Sequence, residues 1–167
     1  HRRRMKRAAE GGRANASRTK ISSAPGRTES KLAAFWREGK FTDVVVRAGG
    51  RDFPAHRIML AAGSEYFAVR DCEKRFADSG RADIELPNIS AEVFETILTY
   101  LYEGTCSCSA DVLLDVAAAA QFLQAPQLVS QVCESITAGL SITNCVERLR
   151  FAELHNLPIT VECEAAV

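Results

Sequence analysis

Six cysteines, three histidines and a serine beside a glycine are the side chains of this chain with the widest chemical reach. Ser64 lies in Ala62-Gly63-Ser64-Glu65-Tyr66, where the Gly-x-Ser-x-Gly spacing of a strained nucleophile elbow is missing. Cys106-Ser107-Cys108, with His155 and Cys163 far behind it, does not match the paired spacing of a zinc site. Alternating cysteines on a short strand or loop are the simpler reading. Cys72, Cys133 and Cys145 fall within helical patterns, where a thiol serves as a small apolar residue. His1 stands in the N-terminal tail and His155 near the end of the chain, and His56 opens a helical pattern, where local packing or capping is expected. No glycine-rich phosphate loop is present. The chain is therefore expected to be no enzyme and to hold no metal or cofactor.

Charge divides the 167 residues in two. From His1 to Lys31 ten Lys/Arg face two Glu, a balance of +8, and from Leu32 onward eleven face nineteen Asp/Glu, a balance of −8. An acidic domain repels phosphate backbones, so the folded part is not expected to bind nucleic acid directly. The tail holds Met5 and Ile21 as its only large apolar residues, too few to offset its ordering entropy, and residues 1–30 are expected to be disordered. Within it, Arg2-Arg3-Arg4-Met5-Lys6-Arg7 reads first as a solvated basic linker. A nuclear import signal and an Arg-rich transit segment are the other readings. The first residue is His rather than Met, as expected of a fragment or of an uncertain gene model. No run approaches the length of an apolar membrane span, and no Cys-x-x-Cys pair or secretory signal is present. Reduced thiols in the cytoplasm or nucleus are expected.

The elements that must position these residues form a helix-dominated α+β chain with one small sheet. Ser30 to Gly39 reads as a short helix with Leu32, Phe35 and Trp36 on one face. Asp43–Arg47 and Arg51–Pro54 read as strands joined by the Ala48-Gly49-Gly50 turn. Ala55–Gly63 is expected to be helical with Ile58, Met59 and Ala62 inward. Ala82–Leu86 alternates as a half-buried strand, and Pro87 stops it. Ser90 caps a long helix to Tyr102, ended by Gly104, with Val93, Ile97 and Leu101 on one stripe. Helices follow at Asp111–Leu123, after Pro126, and from Thr143 or Asn144 through Leu154.

Phe41-Thr42-Asp43-Val44-Val45-Val46, Phe53-Pro54-Ala55-His56-Arg57, Leu60-Ala61-Ala62-Gly63-Ser64-Glu65-Tyr66-Phe67 and Phe94 to Gly104 together resemble the signature of the BTB/POZ family. The likeness runs in order from about Leu32 to Leu140. Ile142-Thr143-Asn144-Cys145 and Phe151-Ala152-Glu153 resemble the opening helix of the BACK region of Kelch-like proteins. The resemblance implies residues 31–140 as a BTB/POZ fold, a mostly helical cluster flanked by a small sheet, and 141–167 as the start of a BACK-like region. It implies a homodimer through Leu32, Phe35 and Trp36, although these residues could instead pack on their own core. Asp43 and Arg57 are implied to share a pocket as a buried charged pair. It also implies a cullin-3-type partner at Tyr66, Phe76 and Asp78, so that the chain would act as substrate adaptor of a ubiquitin ligase for an unnamed substrate. Phe76-Ala77-Asp78 departs from the family's hydrophobic-x-Glu motif, because Asp is one methylene shorter. The other reading is a scaffold or transcription-regulator module that self-associates without a cullin.

Overall fold

Gly49 and Gly50 both take positive φ, 54° and 76°, which a two-residue hairpin turn requires and which L side chains rarely adopt. They join β2 (Val44–Ala48) to β3 (Arg51–Ala55), paired Val44 to Ala55 through Ala48 to Arg51. β4 (Ala82–Leu86) adds to the other side of β2 in parallel, giving the order β3-β2-β4. Along β4, Ile84 and Leu86 are buried while Asp83 and Glu85 are exposed, the alternation expected of a strand with one face on a core. The computed structural model describes residues 18–22, 31–74 and 82–159. The Arg2–Arg7 cluster, Ser30, Phe76-Ala77-Asp78, Cys163 and the side chain of Cys72 lie outside that description.

The helices are α1 (Lys31–Arg37), α2 (Arg57–Gly63), α3 (Glu65–Lys74), α4 (Ala91–Glu103), α5 (Ala110–Phe122), α6 (Pro126–Ala138) and α7 (Cys145–Leu154). α4 is bounded as its sequence dictates. The Ser90 hydroxyl accepts from the Val93 N–H at 3.3 Å, and Gly104 at φ 70° donates its N–H to the Tyr100 carbonyl at 2.8 Å. Its stripe of Val93, Phe94, Ile97 and Leu98 is buried, with Leu101 half-buried. α5 packs on both α4 and α6, and its fully buried Ala117 and Ala120 are small enough to let neighbouring backbones approach. α1, α5 and α7 end alike. Gly39, Gln124 and Asn156 adopt the left-handed conformation, and Lys40, Ala125 and Leu157 donate their N–H groups five residues back, to Phe35, Ala120 and Ala152.

Two expectations fail. In α2, Ile58 is 72% exposed and Ala62 is exposed, while Leu60 is fully buried. The helix turns a different side to the core, because seven residues are too few for the apolar pattern to define a face. The tail is not wholly without structure: β1 (Arg18–Ser22) pairs antiparallel with β5 (Thr105–Ser109), Arg18 opposite Ser109 and Ile21 opposite Cys106. Pairing satisfies the backbone groups of β1 that face β5, and Ile21, 1% exposed, supplies an apolar anchor that composition alone undervalued.

Candidate protein-interaction surfaces

α1 is too short to be stable alone and is held by its side chains. Ala33 is buried, and the Trp36 ring lies flat on Tyr102 of α4, with centroids 4.6 Å apart and planes 8° from parallel. Arg37 reaches Glu103 at 2.6 Å. Trp36 is thus half-buried against its own domain, whereas Leu32 is 38% exposed and the half-buried Phe35 meets Phe41 edge-on at 5.1 Å. Phe41 is itself 75% exposed and sits at φ 60°. An exposed aromatic in the left-handed region costs backbone energy and gains little burial within the chain. Sequence reasoning gave Phe41 no role. Its position just after a Gly-ended helix was the signal that the chain turns there and displays the ring.

Beneath this surface His56, 5% exposed, has every polar group engaged. Its Nε2 is 2.9 Å from the Lys40 carbonyl, which can only accept, so Nε2 carries the proton. Nδ1 is then left to accept the Tyr102 hydroxyl proton at 2.7 Å, while the Tyr102 oxygen accepts the His56 backbone N–H at 2.8 Å. His56 therefore locks the loop after α1 to the start of α2 and to α4, the structural role expected of it. Burial is the main cause that pushes the Tyr102 hydroxyl up to about 12, and the nearby Asp43 charge adds to it, while the His56 N–H opposes the shift.

Asp43 and Arg57 are brought together, but not as a buried pair. The Asp43 carboxylate accepts the Arg57 backbone N–H at 2.8 Å at an exposed position, and Arg57 is half-buried. Both begin elements at the surface. The carboxylate there caps the first turn of α2, where the helix dipole favours a negative charge.

Tyr66, at the start of α3, is half-buried and packs on Phe67 and Phe122, with ring centroids 5.3 Å apart in each case. Arg70 stands over the same ring, 5.6 Å from its centroid, and donates to the Tyr66 hydroxyl at 2.7 Å. Phe122, 54% exposed at the end of α5, extends this aromatic surface and was not singled out from the sequence. Its partner Tyr66 is far away along the chain, and only the fold joins them.

Cys106 and Cys108 face inward from β5, at 6% and 3% exposure. Burial above all pushes the Cys106 thiol up to about 12, so it stays protonated and unreactive at neutral pH. Among the described residues no group of three or more His, Cys, Asp or Glu is placed to hold a metal, and no helix is long and apolar enough to cross a membrane.

The BTB/POZ domain model matches residues 32–140. The chain belongs to the BTB/POZ domain family. Its Kelch-like relatives include human Kelch-like protein 38, 33% identical over 113 residues, which are 68% of this chain and 19% of that protein. Human Kelch-like protein 40 is 36% identical over 117 residues, 70% of this chain and 18% of the relative. The chain thus spans about a fifth of the length of these relatives. Among solved structures, the BTB domain of zebrafish PATZ1 superposes with a TM-score of 0.57 at 31% identity, covering 65% of this chain and 87% of that one. The helix-dominated fold with its small sheet is that of a BTB domain, and BTB/POZ domains are protein-interaction modules.

Proposed function

We propose that this chain is the self-associating adaptor module of a cullin-3-type ubiquitin ligase, which brings a substrate to the ligase and performs no chemistry itself. The observation that carries self-association is the Phe41 ring, 75% exposed and packed edge-on against Phe35 beside Leu32. An interface between two copies would bury these rings and make their exposure in one copy intelligible. Trp36 contributes from behind, by holding α1 in place through Tyr102. The cullin would meet the Tyr66 surface, with Phe122 and the Phe76-Ala77-Asp78 segment alongside. In this reading residues 31–140 form the interaction domain, residues 141–167 begin a BACK-like region, and the basic tail precedes them around β1. Cys106, Cys108, Cys133 and Cys145, none of them in a disulfide, fit a cytoplasmic or nuclear setting.

One observation favours a second reading. Asp78 stands where cullin adaptors carry Glu, and the shorter side chain supports a scaffold or regulator that self-associates without a cullin. A pull-down with cullin-3 decides between them. The adaptor reading expects the parent chain to be retained and a Phe76→Ala, Asp78→Ala variant to be lost. No retention of the parent ends that reading and leaves self-association standing. Self-association is tested separately by light scattering: the parent should be dimeric and a Phe35→Glu variant monomeric.

A further inference from the structure

A cleft of about 470 Å³ between α4, α5 and α7 borders the Tyr66 surface at Phe122 and otherwise lies apart from the surfaces above. Its walls include Ile89, Val93, Phe122, Phe151 and His155, and Asp115 is the acidic residue among those lining it, with no Lys or Arg. Phe122 is 54% exposed and Phe151 half-buried, so ring surface remains open. More carboxylates stand one helical turn away. Asp111 precedes Asp115 by four residues on α5, and Glu147 precedes Phe151 by four on α7, both exposed. Apolar walls with aromatic rings and carboxylates nearby suit an apolar side chain flanked by cations, which can pair with the acids and lie over ring faces.

The chain itself carries such a segment, Arg2-Arg3-Arg4-Met5-Lys6-Arg7, at the head of a tail of +8 that precedes a domain of −8. The pairing of β1 puts it in reach. Arg18 lies opposite Ser109, just before α5, and Asp115 is six residues further on, about 9 Å of helix. Lys6 stands twelve residues before Arg18, a length that extends to about 40 Å. We propose that residues 2–7 dock in cis in this cleft, Met5 against its apolar walls and the flanking cations on Asp115, Asp111 and Glu147. The docking does not depend on dimerisation, and it needs no cullin, although the two would share Phe122.

Lys6 is the one lysine among residues 1–17, which makes a sharp test available. The full chain is treated with a water-soluble carbodiimide at low salt, and the amide links are mapped by mass spectrometry on mixed light and nitrogen-15 copies. Docking predicts Lys6 linked to Asp115, Asp111 or Glu147 within one copy. The yield should fall about fivefold in an Arg3→Glu, Arg4→Glu variant, and again in about 0.5 M salt. Links from Lys6 to acids away from the cleft, such as Glu85 or Glu134, overturn the proposal. So does the absence of any Lys6 link, or the appearance of links only between light and heavy copies.

Discussion

Phe41→Gly acts on two equilibria that the proposed dimer keeps separate. Within one copy the ring is 75% exposed, so little packing is lost on removal. Glycine accepts φ 60° without strain, a gain of roughly 1 kcal/mol, offset by about 0.5–1 kcal/mol of extra backbone entropy in the unfolded chain. Monomer stability should stay within about 0.5 kcal/mol of the parent. The dimer is another matter. A phenylalanine presents about 200 Å², so 75% exposure leaves about 150 Å² to be covered, worth at most about 4 kcal/mol per copy at 25 cal/mol/Å². Association realises only part of such an area term, and we expect the dimer to weaken at least about tenfold, or 1.4 kcal/mol. Sedimentation velocity over a dilution series measures this, with urea unfolding of the same samples as the stability control. Trp36→Ala is the contrast, since losing the stack on Tyr102 should lower monomer stability by about 3 kcal/mol as well. A dimer constant unchanged by Phe41→Gly refutes the assignment of this face.

Other outcomes follow from the core beneath. Tyr102→Phe removes the acceptor for the buried His56 N–H and the donor to its Nδ1, and should cost about 2–4 kcal/mol in urea unfolding; a loss under 0.5 kcal/mol would mean water replaces the hydroxyl. Tyr102 and Cys106 are both held at about 12, above their ordinary values, so the native state keeps protons that the unfolded chain releases. Their contribution is complete below about pH 9 and is lost as the pH rises from 9 to 12, by up to about 3 kcal/mol for Tyr102; Cys106→Ala should flatten the lower part of that decline, and an unaltered profile contradicts the burial argument. Gly49→Ala would place a Cβ 2.3 Å from the Ala91 backbone nitrogen at φ 54°, and should cost about 2–4 kcal/mol against about 1 kcal/mol for Gly50→Ala, whose Cβ meets nothing within 4 Å; equal losses in thermal unfolding would show that the turn does not bear on α4.

What was legible in the sequence were features that act over a few residues. The Gly49-Gly50 turn, the Ser90 and Gly104 ends of α4 and the alternation of β4 each declare themselves through local chemistry. The family likeness placed Tyr66 and the α1 face on the surface without fixing how each ring is used. What could not be read depends on distant neighbours. β1 has one large apolar residue and becomes a strand only because β5, more than eighty positions later, offers it an edge. Trp36 reads as an outward anchor until Tyr102 takes one of its faces, and Asp43 reads as buried until the start of α2 is seen to lie at the surface. The exposed side of α2 escaped for a different reason: two turns of helix carry too little periodicity to separate Ile58 from Leu60.

The pairing of β1 with β5 has a practical consequence for anyone preparing this domain. The family match begins at residue 32, and a fragment cut there would remove β1 entirely. β5 would then lose its ladder partner, and the inward-facing Cys106 would lose its cross-strand neighbour Ile21. A strand stripped of its partner, with a thiol uncovered, invites strand addition between molecules and oxidation, so such a fragment should aggregate more readily than the longer chain. A boundary that keeps the β1–β5 pair intact therefore lies before Arg18.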